Sequence, residues 1–432
     1  MTGPARPGAA GAGPSGPVPP GTGPGSGPGS GPGTGPADGT AWLDALLSAW
    51  GQELLARVAA GREAGQSPLA LASALRKEYP ADLVAAATAQ DELRRAAAAK
   101  FSRAGRMLFT RPGLEQASSE AAARHRDRRL RAGTAGRLAD LGCGIGGDLI
   151  ALAPGREVLA VDRDPVHLRM AAYNAGVYDG AAGVRTVAAD VRDISLAGVD
   201  AVFTDPARRL PAARGPGRRL RPGTSEPPLD WCFALTRQVP AVVVKAAPGL
   251  PAGTVPGGWE TEFVADGRDL KEAVLWSPAL ATAPSRATIL PGEHVLLPED
   301  GDEVPVAAPG PFLFDPNPAV TRAGLVEDLA RQLGAWKIDP RIAFLSASTA
   351  QHTPFARTLR VVESAPWNEK DFARRLRALG IGAADLRRRG LAGDVDQIHR
   401  RLRLAGPHRA TLVLTRVSEK PWGLICTDQE LP

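Results

Sequence analysis

Acidic and glycine residues in the middle of the chain have the types and spacing needed to bind a ligand at the end of a strand. A short apolar run that contains Asp140 leads into a turn, and a helix is predicted to begin at Leu149. The turn holds Gly142, Gly144 and Gly146. Glycines let the backbone turn sharply and approach a ligand closely, and a helix N-terminus presents unpaired N–H groups. A glycine-rich turn alone is weak evidence, because dinucleotide-binding enzymes share it.

Two further aspartates follow at the ends of the next predicted strands. Asp162 ends the second strand and Asp190 follows the third. The carboxylate of Asp162 can accept hydrogen bonds from both ribose hydroxyls. Asp190 can accept one from an adenine amino group, and Asp140 one from an ammonium group. The three carboxylates therefore predict an adenosine ligand with a cationic tail, since Asp140 would repel the two phosphates of NAD.

The surrounding elements predict an α/β domain. Short apolar runs alternate with helical segments such as 165–174 and 228–238, which indicates a parallel sheet with helices on both faces. The runs predicted as buried strands are 138–141, 158–161, 184–188, 201–204 and 241–244. The segment 269–276 alternates in polarity, and we predict an antiparallel strand at the edge of the sheet.

The stretch from about residue 137 to 206 resembles the class I S-adenosylmethionine-dependent methyltransferases in the order and spacing of these motifs. Segments 162–165 and 173–178 are similar to the trimethylguanosine-synthase branch, which methylates guanine N2. The resemblance implies a Rossmann-like, mostly parallel sheet with an antiparallel last strand, and S-adenosylmethionine as the cofactor. The cofactor-binding residues that it implies are Asp140, Gly142, Gly144, Gly146, Asp162 and Asp190. Asp164 and Pro165 fit a helix start and receive no direct role.

Asp205 and Pro206 follow the fourth predicted strand, at the edge where ligands of open α/β sheets bind. Amino-group methyltransferases often have an Asp or Asn, two prolines and an aromatic residue here, which hold the amine and stack on its base. This chain departs from that pattern, because Ala207 replaces the second proline and Arg208 the aromatic residue. Asp205 can still orient an amine or accept its proton, and methyl transfer depends mainly on positioning. Asp205 and Pro206 are therefore the predicted catalytic residues.

Basic residues flank this predicted methyl-acceptor site. Arg208 and Arg209 begin a stretch rich in arginine, proline and glycine, which suits a phosphate-bearing substrate. A high genomic GC content would produce the same composition equally well. Lys245 ends the fifth predicted strand, where it either faces the substrate or caps the sheet edge. Arg208, Arg209 and Lys245 are the predicted substrate-binding residues.

The C-terminal part is predicted to form a separate α+β domain. Its segments 355–357, 367–370, 380–382 and 410–416 resemble the THUMP-like domain that ends a bacterial methyltransferase family. Together with the helical front end, this resemblance extends from about Asp44 to Cys426. By analogy with true THUMP domains, which help to dock RNA, it implies an RNA-directed enzyme. The segment 320–333 is predicted as one helix, and Asn317 with Pro318 as its start.

Four regions are predicted along the chain. They are a disordered Pro/Gly-rich tail at 1–40, a helical accessory domain at 41–131, the methyltransferase domain at 132–290 and the THUMP-like domain at 291–432. The arginines at 124–131 are predicted to lie on a solvated helix face, with contact to a phosphate backbone as the alternative. The C-terminal arginines, at 374–377, 387–389 and 400–403, have the same two interpretations.

Composition narrows the function classes. The three cysteines lie far apart without metal-ligand spacing, so we expect neither a metal site nor a disulfide, and a cytoplasmic protein. No apolar run approaches the ~20 residues that span a membrane, so no membrane partner is expected. Lys and Arg number 52 against 46 Asp and Glu, and the net charge of +6 mildly favours an anionic partner.

The leading hypothesis is a methyltransferase that modifies a base nitrogen of structured RNA, such as tRNA or rRNA. One alternative is a methyltransferase that acts on a small molecule or a protein. Another is a protein that binds the cofactor and RNA without turnover, because Ala207 and Arg208 depart from the amine-binding pattern.

Overall fold

The computed structural model describes residues 40–134, 136–207, 225–391 and 394–428. Apart from Thr40, the predicted tail lies outside these ranges, as do Arg208 and Arg209 of the predicted substrate site. No helix in the described part of the chain is long and apolar enough to cross a membrane.

Helices make up the described N-terminal region. They are α1 (Ala41–Leu47), α2 (Ala49–Glu63), α3 (Pro68–Leu75), α4 (Ala81–Ala97), α5 (Arg111–Gln116) and α6 (Glu120–Gly133). Ser67 accepts a hydrogen bond from the N–H of Ala70 and Pro68 opens α3, so a side-chain cap and a proline in the first turn begin this helix. The apolar core of these helices continues onto Ile145, Ile150 and Met170. The helical region therefore shares its core with the domain that follows it.

The first sheet contains the glycine-rich turn. Its strands are β1 (Leu138–Leu141), β2 (Val158–Asp162), β3 (Val184–Ala188), β4 (Ala201–Thr204), β5 (Ala241–Ala246), β6 (Glu260–Asp266), β7 (Asp269–Trp276), β8 (Ser285–Leu290) and β9 (His294–Leu296). In the described chain they lie in the order β3-β2-β1-β4-β5-β7-β6-β8-β9. Strands β1 to β5 are parallel, and β7 is antiparallel to β5 and β6. The helices of this region are α7 (Leu149–Leu152), α8 (Pro165–Val177) and α9 (Leu229–Ala234).

Three predictions about this sheet were wrong in part. Strand β3 was predicted to be buried, but it lies at one edge and is largely exposed. Strand β7 is antiparallel as predicted, yet it lies between β5 and β6 and not at an edge. Strand β9 lies beyond residue 290, so the sheet continues into the predicted C-terminal domain. The interior position of β6 was hidden because Glu260 and Glu262, both fully buried, break its apolar pattern.

A second sheet follows. Its strands are β10 (Phe312–Pro316), β11 (Trp336–Lys337), β12 (Leu345–Ala347), β13 (Ala356–Pro366), β14 (Ile381–Arg388), β15 (His408–Val417) and β16 (Lys420–Thr427), in the order β11-β12-β10-β13-β16-β15-β14. The helices are α10 (Pro318–Ala323), α11 (Val326–Gln332), α12 (Glu369–Ala378) and α13 (Val395–Leu402). The single helix predicted at 320–333 is two helices, because Gly324 has a φ of +77° and ends α10. Asn317 caps α10 as predicted.

Two of the arginines of α6, Arg126 and Arg129, face the protein interior. Arg126 is 1% exposed, and its Nε donates to Asp148 Oδ1 at 2.8 Å while its Nη1 donates to Glu272. Arg129 pairs with Glu260 and Glu262 of β6. The prediction of a solvated face was therefore wrong for these two arginines, since buried glutamates on β6 and β7 attract them inward.

Replacing Arg126 with alanine should lower the free energy of unfolding by about 3–5 kcal/mol, because Asp148 and Glu272 would remain buried with uncompensated charge. Arg124→Ala on the same helix is the matched control. Arg124 is 55% exposed in its pair with Glu120, so its loss should cost about 0–1 kcal/mol. Urea unfolding of both variants measures the difference, and equal losses would contradict the assigned role of Arg126.

Candidate active site

The strand order assembles the predicted site residues. Parallel strands β3, β2, β1, β4 and β5 present their carboxyl ends at one edge of the sheet. Along this edge lie Asp190, Asp162, Asp140, Asp205 and Lys245, in that spatial order. Asp140 and Lys245, which are 105 positions apart in sequence, therefore lie at the same edge, on strands separated only by β4.

The glycine-rich turn has one tightly packed and one open position. Gly142, Gly144 and Gly146 have φ values of +85°, +53° and +84°, a region that disfavours other residues. A Cβ on Gly146 would lie 2.9 Å from the Cα of Ala171 on α8, so this glycine permits close packing. A Cβ on Gly144 would have no described atom within 4 Å. The turn is therefore accessible to a ligand at Gly144.

Asp140 is a buried carboxyl group with no hydrogen-bond partner on either oxygen among the described residues. The residue is 1% exposed. Burial, together with the charges of Asp148, Asp205 and Asp162, raises its pKa well above the usual range. A buried polar group without a partner is costly, and a positively charged ligand group would remove that cost.

Asp162 connects the second strand to the glycine-rich turn. Its Oδ2 accepts from the N–H of Gly144 at 2.9 Å, and its Oδ1 accepts from the N–H of Asp164 at 2.9 Å. Each oxygen has a second lone pair with which to accept from a ligand hydroxyl. Asp164 in turn accepts from the N–H of Val166 and caps α8, which confirms the predicted helix start.

Asp190 is held by arginines. Its Oδ1 accepts from the backbone N–H and the Nε of Arg192, both at 3.0 Å, and its Oδ2 accepts from Arg192 Nη2 at 2.8 Å and from Arg163. Hydrogen bonds from Arg192 lower the pKa of Asp190 most, with a further contribution from Arg163. The four donors use all four lone pairs, so an adenine amino group would have to displace one arginine contact.

Asp205 and Lys245 form an ion pair at the carboxyl ends of β4 and β5. Lys245 Nζ donates to Asp205 Oδ2 at 2.5 Å. Lys245 is 4% exposed, and burial alone would lower its pKa, but Asp205, Glu272 and Asp148 raise it above the usual value. Lys245 is thus a charged residue that contacts the predicted catalytic carboxylate.

Sequence reasoning missed several residues that hold this site together. Asp148 accepts from Arg126 and from the hydroxyl of Ser118 at 2.8 Å, which fixes the end of the glycine-rich turn. Asn174 is fully buried, and its Nδ2 donates to the carbonyl oxygens of Ile145 and Leu108 at 2.9 Å each. Asn174 lies in a segment noted only for its family resemblance, and Asp148 directly follows the glycines, which was the available signal.

A relative from Mycobacterium tuberculosis (strain CDC 1551 / Oshkosh) is described as an uncharacterized S-adenosylmethionine-dependent methyltransferase. It is 36% identical over 342 residues, which cover 75% of this chain and 90% of the relative. The chain belongs to the S-adenosylmethionine-dependent methyltransferases. The predicted enzyme class and the cofactor, S-adenosylmethionine, are thereby confirmed.

Parts of the methyltransferase match more specific sequence families. Residues 135–211 match the family described as RNA cap guanine-N2 methyltransferase, and residues 356–428 match the family described as THUMP domain-like. Residues 39–97 match a domain of unknown function. Both predicted resemblances, to the guanine-N2 branch and to the THUMP-like domain, are confirmed.

A solved structure supports the fold of the methyltransferase. A protein from Porphyromonas gingivalis W83 superposes with a TM-score of 0.69 and is 21% identical. The match covers 87% of this chain and 98% of that protein. The predicted Rossmann-like sheet with N-terminal helices and a C-terminal α+β part is confirmed.

Two glycine substitutions should separate packing from backbone conformation in the turn. Gly144→Ala should cost about 1–2 kcal/mol, the penalty for a left-handed residue with free space around it. Gly146→Ala should cost about 1–3 kcal/mol more, because its Cβ meets the backbone of α8. Chemical denaturation without cofactor measures both losses, and a Gly144→Ala loss as large as that of Gly146→Ala would refute the packing assigned to Gly146.

Proposed function

We propose that this methyltransferase methylates a base nitrogen of structured RNA, such as tRNA or rRNA. The observation that carries the proposal is the position of Asp205. Its carboxylate lies at the carboxyl edge of the sheet beside Asp140, where an amine acceptor and the cofactor can meet. The similarity of residues 135–211 to a guanine-N2 methyltransferase family supports an exocyclic base nitrogen as the acceptor.

The cofactor is assigned to the edge formed by β1, β2 and β3. Asp140 accepts a hydrogen bond from the ammonium group, which supplies the cation that its buried carboxyl group lacks among the described residues. Gly142, Gly144 and Gly146 form the turn around the amino-acid part, with Gly144 as the open position. Asp162 accepts hydrogen bonds from the ribose hydroxyls. Asp190 accepts one from the adenine amino group after it loses one hydrogen bond from Arg192 or Arg163.

Catalysis by the chain's own residues consists of positioning. S-adenosylmethionine, when bound, would supply an electrophilic methyl group to the acceptor nitrogen, with S-adenosylhomocysteine as the leaving group. Asp205 accepts a hydrogen bond from the acceptor amine, and the backbone carbonyl of Pro206 is a second acceptor beside it. Lys245 holds Asp205 in place through their ion pair. The proton released from the amine leaves through the Asp205 carboxylate, and orientation provides most of the acceleration.

Three features support RNA as the substrate. The chain carries a net charge of +6, and its C-terminal part is similar to a THUMP domain-like family. The arginine-rich stretch that begins with Arg208 and Arg209 follows Asp205 by three residues in the sequence. Its neighbours Ala207 and Glu226 exchange two backbone hydrogen bonds of 2.9 Å, so the described chain leaves and returns next to the acceptor site. Arg208 and Arg209 are assigned to phosphate contacts.

Incubation with methyl-labelled cofactor should label an RNA fraction, and Asp205→Ala should reduce that labelling by about 100-fold or more. Affinity for S-adenosylhomocysteine should stay within about twofold, because Asp205 is assigned to the acceptor. Asp230→Ala, an exposed change on α9, is the control and should keep full activity. Label in a protein or small-molecule fraction instead of RNA would refute the proposed substrate, and an active Asp205→Ala variant would refute the catalytic assignment.

Cofactor binding should be linked to proton release from Asp140. The raised pKa of this buried carboxyl group favours its protonated form in the free protein, and the ammonium group of the cofactor favours the ionised carboxylate. Affinity should therefore rise with pH until the raised pKa of Asp140 is passed. Calorimetry with S-adenosylhomocysteine in two buffers of different ionisation enthalpy measures the release. Asp140→Asn should bind more weakly and release no proton at this site, so an equal release would contradict the assignment.

A further inference from the structure

A cleft rich in arginine lies between the first sheet and the C-terminal region. Arg268, in the turn between β6 and β7, faces Arg387 and Arg389 at the end of β14. These residues line a cavity of about 310 Å³ together with Asp315 and Phe344. Neither sheet alone forms this cavity, because its arginines come from both.

Asp315 fixes the positions of two of these arginines. It is 4% exposed, its Oδ2 accepts from Arg268 Nη2 at 2.8 Å, and its Oδ1 accepts from Arg389 Nη2 at 2.9 Å. The guanidinium of Arg389 also lies over the ring of Phe344, 5.1 Å from its centroid. One carboxylate thus holds two guanidinium groups in place and neutralises only one of their charges.

The described cleft keeps an excess of positive charge, because its four arginines, which include Arg388, outnumber its two carboxylates, Asp315 and Asp269. Arg387 is exposed and makes no side-chain hydrogen bond or ion pair with the residues that the structure describes. Burial and the repulsion of Arg387, Arg357 and Arg389 lower the pKa of Arg268, against the attraction of Asp315. Adjacent guanidinium groups with excess charge suit a phosphate, whose oxygens accept paired N–H donors.

The cleft opens at the same edge of the sheet as the candidate active site. Strand β7 is antiparallel to β5, and Ala273 pairs with Ala246 at the carboxyl end of β5. Arg268 precedes Ala273 by five residues and lies in the turn before β7. At about 3.3 Å per residue, this turn is roughly 15–20 Å from the pair of Ala273 and Ala246. A single nucleotide cannot reach both sites, but several consecutive nucleotides of one RNA strand can cover the distance.

We propose that the cleft formed by Arg268, Arg387 and Arg389 binds a backbone phosphate of the RNA whose base is presented to Asp205. This inference rests on the proposed function and adds to it a second docking point, built from both sheets. The fixed pair Arg268 and Arg389 provides a preformed receptor, and Arg387 supplies the charge that Asp315 leaves unbalanced. Phosphate contacts of this kind set affinity and register without reading sequence.

Arg387→Ala in the full-length protein tests the proposal, with bulk tRNA and rRNA as the probes. The dissociation constant should rise about tenfold, the loss expected for one hydrogen bond to a charged group. The slope of log affinity against log salt concentration should fall by about 0.7–0.9, as for one lost phosphate contact. The KM for RNA should rise while kcat and the affinity for S-adenosylhomocysteine stay unchanged.

Arg374→Ala is the matched control, because Arg374 is 77% exposed on α12 and pairs only with Asp371 among the described residues. It should leave RNA affinity and salt slope near the wild-type values. A wild-type dissociation constant and salt slope in Arg387→Ala would overturn the cleft assignment, even if RNA is methylated. Loss of RNA affinity in Arg387→Ala without any RNA methylation would uphold the cleft and overturn the proposed function. If the wild-type protein binds neither tRNA nor rRNA, the cleft assignment is wrong.

Discussion

The buried charge of Arg126 is the constraint on which the arrangement of the site depends. A guanidinium that is 1% exposed must be matched by carboxylates at hydrogen-bond distance, and here these are Asp148 and Glu272. The first begins the helix after the glycine-rich turn, and the second lies on β7. One side chain from α6 thus joins three parts of the chain and holds the turn against the sheet.

Charge is distributed unevenly along the carboxyl edge of the first sheet. The ends of β1, β2 and β3 carry carboxylates, of which Asp140 has no partner among the described residues. At β4 and β5 the carboxylate of Asp205 is instead paired with Lys245. This division suits a cationic cofactor group at one side of the edge and an oriented acceptor at the other, because each ligand meets a different local field.

The helical region, the first sheet and the C-terminal region share parts of their cores, although the C-terminal region also has clusters of its own around Phe372 and Phe344. Ile145 and Met170 pack with the N-terminal helices, and Phe314 and Val320 pack in the same cluster as Phe263 and Ile289 of the first sheet. Shared cores keep the elements at fixed separations, since close-packed interiors resist sliding. This is why Arg268 and Arg389, from different sheets, can meet on one carboxylate.

The sequence by itself determined the local parts of this protein. These parts are strands β1 to β5, the glycine-rich turn and the helix starts at Asp164 and Asn317. Each depends on residues that are neighbours in the chain, so it could be predicted from the sequence. The spacing of Asp140 and Asp162 likewise followed from where each strand ends. These features also carried the family resemblance.

Only the tertiary structure decided which charges are buried and which partners they have. Arg126 and Glu272 are 146 positions apart, and nothing near either residue in the chain indicates that they meet. Glu260 and Glu262 interrupt the apolar pattern of β6, so the sequence did not predict an interior strand there. In the fold, Arg129 from α6 pairs with both glutamates. Long-range pairing of this kind has no local sequence pattern, since it depends on the order of strands in the folded sheet.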